Sequence, residues 1–331
     1  MGDTPGIDTA SHMFATLIRP SPASAAHGRL EPEPDLTVIG PIRYEVVEPL
    51  RKVRFVLEPN DRQPIAFNWL FEAAVPPHME ERNHLRTHYR VASELVRYHQ
   101  TGVCSGWVEV DGKRTEMTPE TWVTTRDHSW GVRYDVGKPM TDVHVADPFR
   151  GGTYEFLWSP VLMQRGDGTR YALFLSYGIF AAPGFSQRTI NGGIEHPDGR
   201  FEKFADIAPS VQYDPRNRRL RKGHLDCTLL DGTRRRIEIE AISETGFHLG
   251  AGLYFGFDGH HHGEWRGDLH VDGERIEDCS TPENARRLHQ IRDTVIFVRD
   301  PVGGGEGVGN AQPIIIGAHP ERGLTDDSSF M

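Results

Sequence analysis

Cysteine is scarce in this chain: Cys104, Cys227 and Cys279 are the only three in 331 residues, and none sits in a C-x-x-C spacing. An odd, scattered set builds neither a disulfide framework nor a zinc knuckle, so the chain reads as the product of a reducing, cytoplasmic compartment. Positive charge is in deficit too, with 37 Lys and Arg against 47 Asp and Glu and a formal net charge of −10. That field repels polyanions, which argues against nucleic acid or an anionic membrane surface as a partner. Long apolar runs are missing: the most apolar stretch, 171–185, is broken by Ser176, Gly178 and Pro183 and is too short to span a bilayer. The first residues lack a basic segment followed by an apolar one, and 1–35 reads as a flexible arm. Phosphate-binding glycine loops are absent as well, because the run Gly303–Gly309 never satisfies G-x-G-x-x-G and reads instead as a flexible loop between the last two strands. No cofactor is expected.

What the chain has in quantity is turn formers and strand aromatics: 35 Gly and 23 Pro accompany 16 Phe, 9 Tyr and 6 Trp. This mixture favours short strands joined by tight turns, Lys52–Leu57 and Ser210–Tyr213 among the strands expected. The segment 102–114 (GVCSGWVEVDGKR) aligns without gaps on 263–275 (GEWRGDLHVDGER), with Gly, Gly, Val, Asp, Gly and Arg shared. Asp-Gly between alternating segments is a two-residue hairpin turn, since both central positions tolerate positive φ. A weaker echo links 44–52 to 213–222 at a similar offset. Duplication at so long a period implies two units that each bury a sheet face. The expectation is an all-β chain of two tandem antiparallel barrels, 36–185 and 186–331, with the boundary in 181–193. A helix giving way to a strand over 79–98, a short helix over 282–290, and hairpins at Gly166-Asp167-Gly168 and Asp231-Gly232 complete it.

The densest chemistry lies in Arg126-Asp127-His128-Ser129-Trp130-Gly131-Val132-Arg133. At strand period Arg126, His128 and Trp130 share one face, and Asp127 and Ser129 the other. Such a polar run is either a hydrogen-bonded structural corner or a site in which Arg126, Asp127 and His128 supply acid and donor groups. Trp130, Arg133, Trp122 and Trp158 are the candidate ligand-lining residues.

This segment, with the preceding Val-Asp-Gly hairpin and Tyr44-Glu-Val-Val-Glu-Pro-Leu50, resembles the AttH and carotenoid 1,2-hydratase (hydroxyneurosporene synthase) superfamily of lipocalin-like proteins. The resemblance implies two lipocalin-like barrels and a cofactor-free hydratase or cyclase for an apolar isoprenoid- or polyketide-like molecule. Asp127 or His128 would be the acid and Arg126 its fixing partner. The rival is a carrier of lipid-like ligands in which the same cluster only seals the barrel.

Other patterns point to structure. Gly102-Val-Cys104-Ser-Gly106 has the spacing of a nucleophile elbow but runs on into a strand. His260-His261-His262 point in different directions, and His78, His84 and His88 lack an H-E-x-x-H pattern, so no metal is expected. The basic stretches 216–222 and 234–236 lack interleaved aromatics and read as a solvated face or a homodimer contact.

Overall fold

The computed structural model describes residues 36–87, 90–132, 142, 151–215, 218–242, 247–249, 277–278, 281 and 291–325. The N-terminal arm, the second repeat copy at 263–275, the helix expected over 282–290, His88, Arg133, the His260–His262 run and Cys279 lie outside them.

The first sheet contains β1 (Leu36–Ile39), β2 (Ile42–Glu48), β3 (Lys52–Leu57), β4 (Ile65–Ala73), β5 (His78–Met79), β6 (Asn83–Thr87), β7 (Arg90–Val110), β8 (Lys113–Met117) and β9 (Val123–Val132). β1 to β4 form an antiparallel meander that docks on β7. β7, 21 residues long, is the spine. β4, β5 and β6 follow one another along one of its edges, β8 and β9 along the other. The expected β7–β8 hairpin turns at Asp111 (φ 50°) and Gly112 (φ 75°). Gly106 is glycine because a Cβ there would lie 2.2 Å from the Asn68 carbonyl oxygen of β4.

The described residues of 79–98 hold no helix: they belong to β5, β6, the start of β7 and the short link 80–82. The helical spacing of Leu85, Ala92 and Val96 is coincidental, because pairing of β6 back onto β7 and of β7 onto β9 satisfies the backbone.

The second sheet contains β10 (Thr153–Arg165), β11 (Arg170–Ala182), β12 (Phe185–Ile190), β13 (Gly193–Glu195), β14 (Phe201–Tyr213), β15 (Leu220–Leu229), β16 (Arg234–Ala241), β17 (Phe247–Leu249), β18 (Ile291–Asp300) and β19 (Gly305–Ile316). Pairing of β10 with both β19 and β11 closes an 8-strand antiparallel barrel. The hydrogen-bonded sheets therefore divide between Val132 and Thr153, and β10 and β11, which the expected boundary at 181–193 assigns to the first unit up to its edge, belong to the second sheet. The first sheet's described pairings close no ring.

The closed barrel is full. Leu157, Met163, Tyr171, Leu173, Leu175, Tyr177, Phe204 and Ile207 are among its buried interior residues, each contributing roughly 1.5–3 kcal/mol by leaving water. A polar cluster stands at each end of β10. At one, Asp300 accepts from Tyr171 Oη (2.9 Å), Arg235 Nη1 (2.8 Å) and the Gly303 amide (2.8 Å). At the other, Glu155 accepts from Tyr177 Oη (3.0 Å) and Arg322 Nη1 (2.6 Å), Arg322 arriving on the 3-10 turn Pro320–Arg322. Among the described residues no helix is long and apolar enough to cross a membrane.

Candidate functional site

Residues paired across an antiparallel ladder present their side chains to the same face. Tyr44 pairs with Phe55 and Phe55 with Trp69, while on β7 Tyr98 pairs with His128, Gln100 with Arg126 and Val96 with Trp130. These residues line the concave face of the first sheet. Arg126 Nη2 donates to Tyr98 Oη at 2.6 Å and to Tyr44 Oη at 3.3 Å. Since β2 and β9 are not sheet neighbours, the Tyr44 contact crosses the concavity and shows how far the sheet curls.

The result is a cup. Its floor is Phe71, Cys104 and Val53, all buried. Its polar centre is Arg126, with the Phe71 and Tyr98 rings 5.6 and 5.3 Å from the guanidinium carbon. Its mouth is Tyr98, His128 and Trp130, with His128 stacked on Tyr98 at 5.5 Å and 5.8 Å from Trp130. Trp130 is 48% exposed, an unusual state for the largest aromatic.

Two polar atoms in the cup are buried and unsatisfied among the described residues: Arg126 Nη1 and Gln100 Oε1. Gln100 is fully buried, and its amide nitrogen donates to the Leu50 carbonyl. Burial and the adjacent guanidinium lower the His128 pKa, against a smaller opposing effect of Asp127, so the ring is mainly neutral at pH 7. Burial raises the Tyr44 hydroxyl, Arg126 acting against it. Burial also pushes the Cys104 thiol up to about 11, which denies it thiolate character.

Asp127 is not in this cup. It pairs with His99 and faces the other side of the sheet, exposed, so the acid expected from Asp127 or His128 reduces, for a ligand in the cup, to His128. Trp158 is also elsewhere, 3% exposed at the junction between the sheets, and Trp122 lies in the turn before β9.

That junction is the second polar centre. His99, fully buried, places Nδ1 2.9 Å from Glu80 Oε1 and Nε2 2.6 Å from Glu195 Oε1 of β13. Glu80 also accepts from Arg97 Nη2 (2.6 Å) and Trp158 Nε1 (2.9 Å). Phe174 of β11 covers the imidazole, ring centroids 4.0 Å apart. Burial alone would depress His99, but the bonds to Glu195 and Glu80 outweigh it and bring the pKa to about 9. Burial raises Glu80, and its bonds to His99 and Arg97 reverse that, leaving it below the usual carboxylate range. With no exposed surface on His99, this cluster fastens one sheet to the other.

Sequence reasoning named neither Tyr98 and Gln100 of the cup nor the Glu80–His99–Glu195 junction. Tyr98 and Gln100 continue the alternation of β7, the one signal available for them. The junction's members are 19 and 96 positions apart and leave no local pattern.

The molecule is therefore an all-β protein with a filled barrel and a curled sheet that offers an aromatic cup around one arginine. It belongs to a family of unknown function, DUF8625, whose model matches residues 22–325. Among solved structures it is similar to kievitone hydratase from Nectria haematococca (TM-score 0.43, 10% identity, covering 84% of this chain and 69% of that one). It is also similar to an AttH-like protein of Nitrosomonas europaea (TM-score 0.39, 11% identity, 82% and 67% covered). No curated protein matches.

Proposed function

We propose that the chain is a cofactor-independent hydratase or cyclase for an apolar, isoprenoid- or polyketide-like small molecule, bound in the cup of the first sheet. The observation that carries this reading is Arg126 Nη1, a buried donor without a partner among the described residues, set among aromatic side chains. Buried donors are normally satisfied, so an orphan at the centre of an apolar cup is the complement of a ligand oxygen. The filled interior of the second barrel leaves the first sheet as the place for the ligand. The resemblance of 126–131 to the hydratase superfamily supports the same reading.

In this reading Arg126 anchors one oxygen of the substrate, and its carbon skeleton lies along Tyr98, His128 and Trp130. His128, neutral in most molecules at pH 7, acts in its protonated fraction, whose imidazolium is made a stronger acid by its surroundings and gives its proton to a carbon–carbon double bond. The neighbouring ring faces stabilise the carbocation formed. In a hydration, water then bonds to that carbon and returns one proton to the neutral imidazole. In a cyclisation a second double bond attacks instead, and loss of an adjacent C–H proton restores His128.

The test uses the small molecule that copurifies with the protein, identified by native mass spectrometry and incubated with the protein in D2O. Turnover places deuterium on carbon in the product, and His128→Asn abolishes this while ligand binding persists. Binding without any deuterium incorporation by the unmodified protein would make the chain a carrier; a tightly held metal or only polar metabolites would sink the reading.

A further inference from the structure

We infer that the cup recognises an anionic oxygen, so that its ligand is an acid: a carboxylate or a comparably acidic group on an apolar body. This rests on the cup being the binding site.

The argument begins with charge. Arg97 with Glu80, Arg235 with Asp300 and Arg322 with Glu155 each hold a carboxylate, and the buried Arg218 donates Nη1 to the Ile315 and Gly317 carbonyl oxygens. Arg126 holds no carboxylate among the described residues; its partners are two phenol oxygens and two aromatic rings. A desolvated guanidinium without a counter-charge destabilises the fold, and a ligand that supplies the charge relieves that cost.

Further donors lie on the same guanidinium. Tyr98 Oη and Tyr44 Oη each accept from Arg126 Nη2, and neither hydroxyl donates to a protein acceptor among the described residues. Nη1 and two O–H groups are therefore three unspent donors around one guanidinium, a donor set suited to an oxyanion. Beside them in the ladder Gln100, with no exposed surface, leaves Oε1 unpartnered. That single acceptor suits a ligand hydroxyl next to the acidic group.

Two dyes with the same ring system test this on the full chain. N-phenyl-1-naphthylamine is neutral, and 1-anilinonaphthalene-8-sulfonate adds an anionic group. Titration by fluorescence, with each dye competed against the other, should show the sulfonate binding at least about tenfold more tightly, since hydrogen bonds to charged groups are worth at least that much. Arg126→Gln should erase the preference and leave the neutral dye's affinity within about twofold. Should that variant fail to fold, Tyr98→Phe serves, with a partial loss of preference and unchanged neutral binding. If the neutral dye binds as tightly as the anion, or if the anion's preference survives both substitutions, the inference fails while the cup remains a binding site. If Trp130→Ala alters the binding of neither dye, the reading of the cup itself fails.

Discussion

His99 Nε2 lies 2.6 Å from Glu195 Oε1, so a histidine in the spine of the first sheet is bonded to a carboxylate of the closed barrel. Glu80, Glu195, Arg97 and His99 make a formally balanced quartet at the contact between the two sheets. A buried cluster of this kind is sensitive to the loss of one member, because what remains is an uncompensated charge.

His99→Phe should accordingly destabilise the protein by about 3–5 kcal/mol, the range for breaking a buried ion pair by removing one partner. Glu80 keeps Arg97 and Trp158, but Glu195, at 5% side-chain exposure, loses the one ion-pair partner it has among the described residues. Urea unfolding checks this; a loss under about 1 kcal/mol would show that the junction is not a structural fastening.

The junction also sets a pH window. His99 has a folded pKa raised from 6.5 to about 9, so its stabilisation is complete below about 6.5 and is lost as pH rises through 9. Glu80 has a folded pKa lowered from 4.5, so its contribution is present above 4.5 and is lost as pH falls through that lower value. The junction's contribution to stability should be greatest between pH 4.5 and 6.5, with an alkaline decline on the order of 3 kcal/mol that is missing in His99→Phe. Melting temperatures across pH for the two proteins make the comparison.

Gly307 tests the barrel seam. A Cβ at this position would sit 2.0 Å from the Leu162 carbonyl oxygen of β10, across the β10–β19 ladder that helps close the ring. Gly307→Ala should cost several kcal/mol, beyond the roughly 1–3 kcal/mol of ordinary overpacking. Gly166→Ala, in the β10–β11 turn with open space around it, should stay within about 0.5 kcal/mol. Similar midpoints for the two variants would contradict this account of the seam.

Local signals were legible where local chemistry decides. Lys52–Leu57 reads as a strand with the bounds it has in the structure. The Asp-Gly turns at 111–112 and 231–232 and the Gly-Asp-Gly turn at 166–168 join the strands expected on either side of them. Where a neighbour in space decides, reading failed. The run 303–309 reads as a flexible loop, yet Gly305, Gly307 and Gly309 belong to β19, lying too close to β10 and Tyr171 for side chains. β14 reads as a strand only over 210–213. A bulge between Phe204 and Asp206 puts Phe204 and Ile207 both in the core, three positions apart, and so breaks the alternation.

The candidate site divides in the same manner. Residues 126–130 are conspicuous because charged, titratable and aromatic types crowd one strand, and strand period alone separates Arg126, His128 and Trp130 from Asp127. Nothing in that segment announces Tyr44, which meets Arg126 only because the sheet curls.

Composition and alternation by themselves determined that this chain is made of strands, where its tight hairpins turn and which strand carries its chemistry, because these depend on neighbours within a few residues. Tertiary structure decided that one sheet closes and fills while the other curls into a cup, that Asp127 and Trp158 leave the cup, and that His99 binds Glu195. Those outcomes depend on pairing and packing between residues far apart in the chain, which no short stretch encodes.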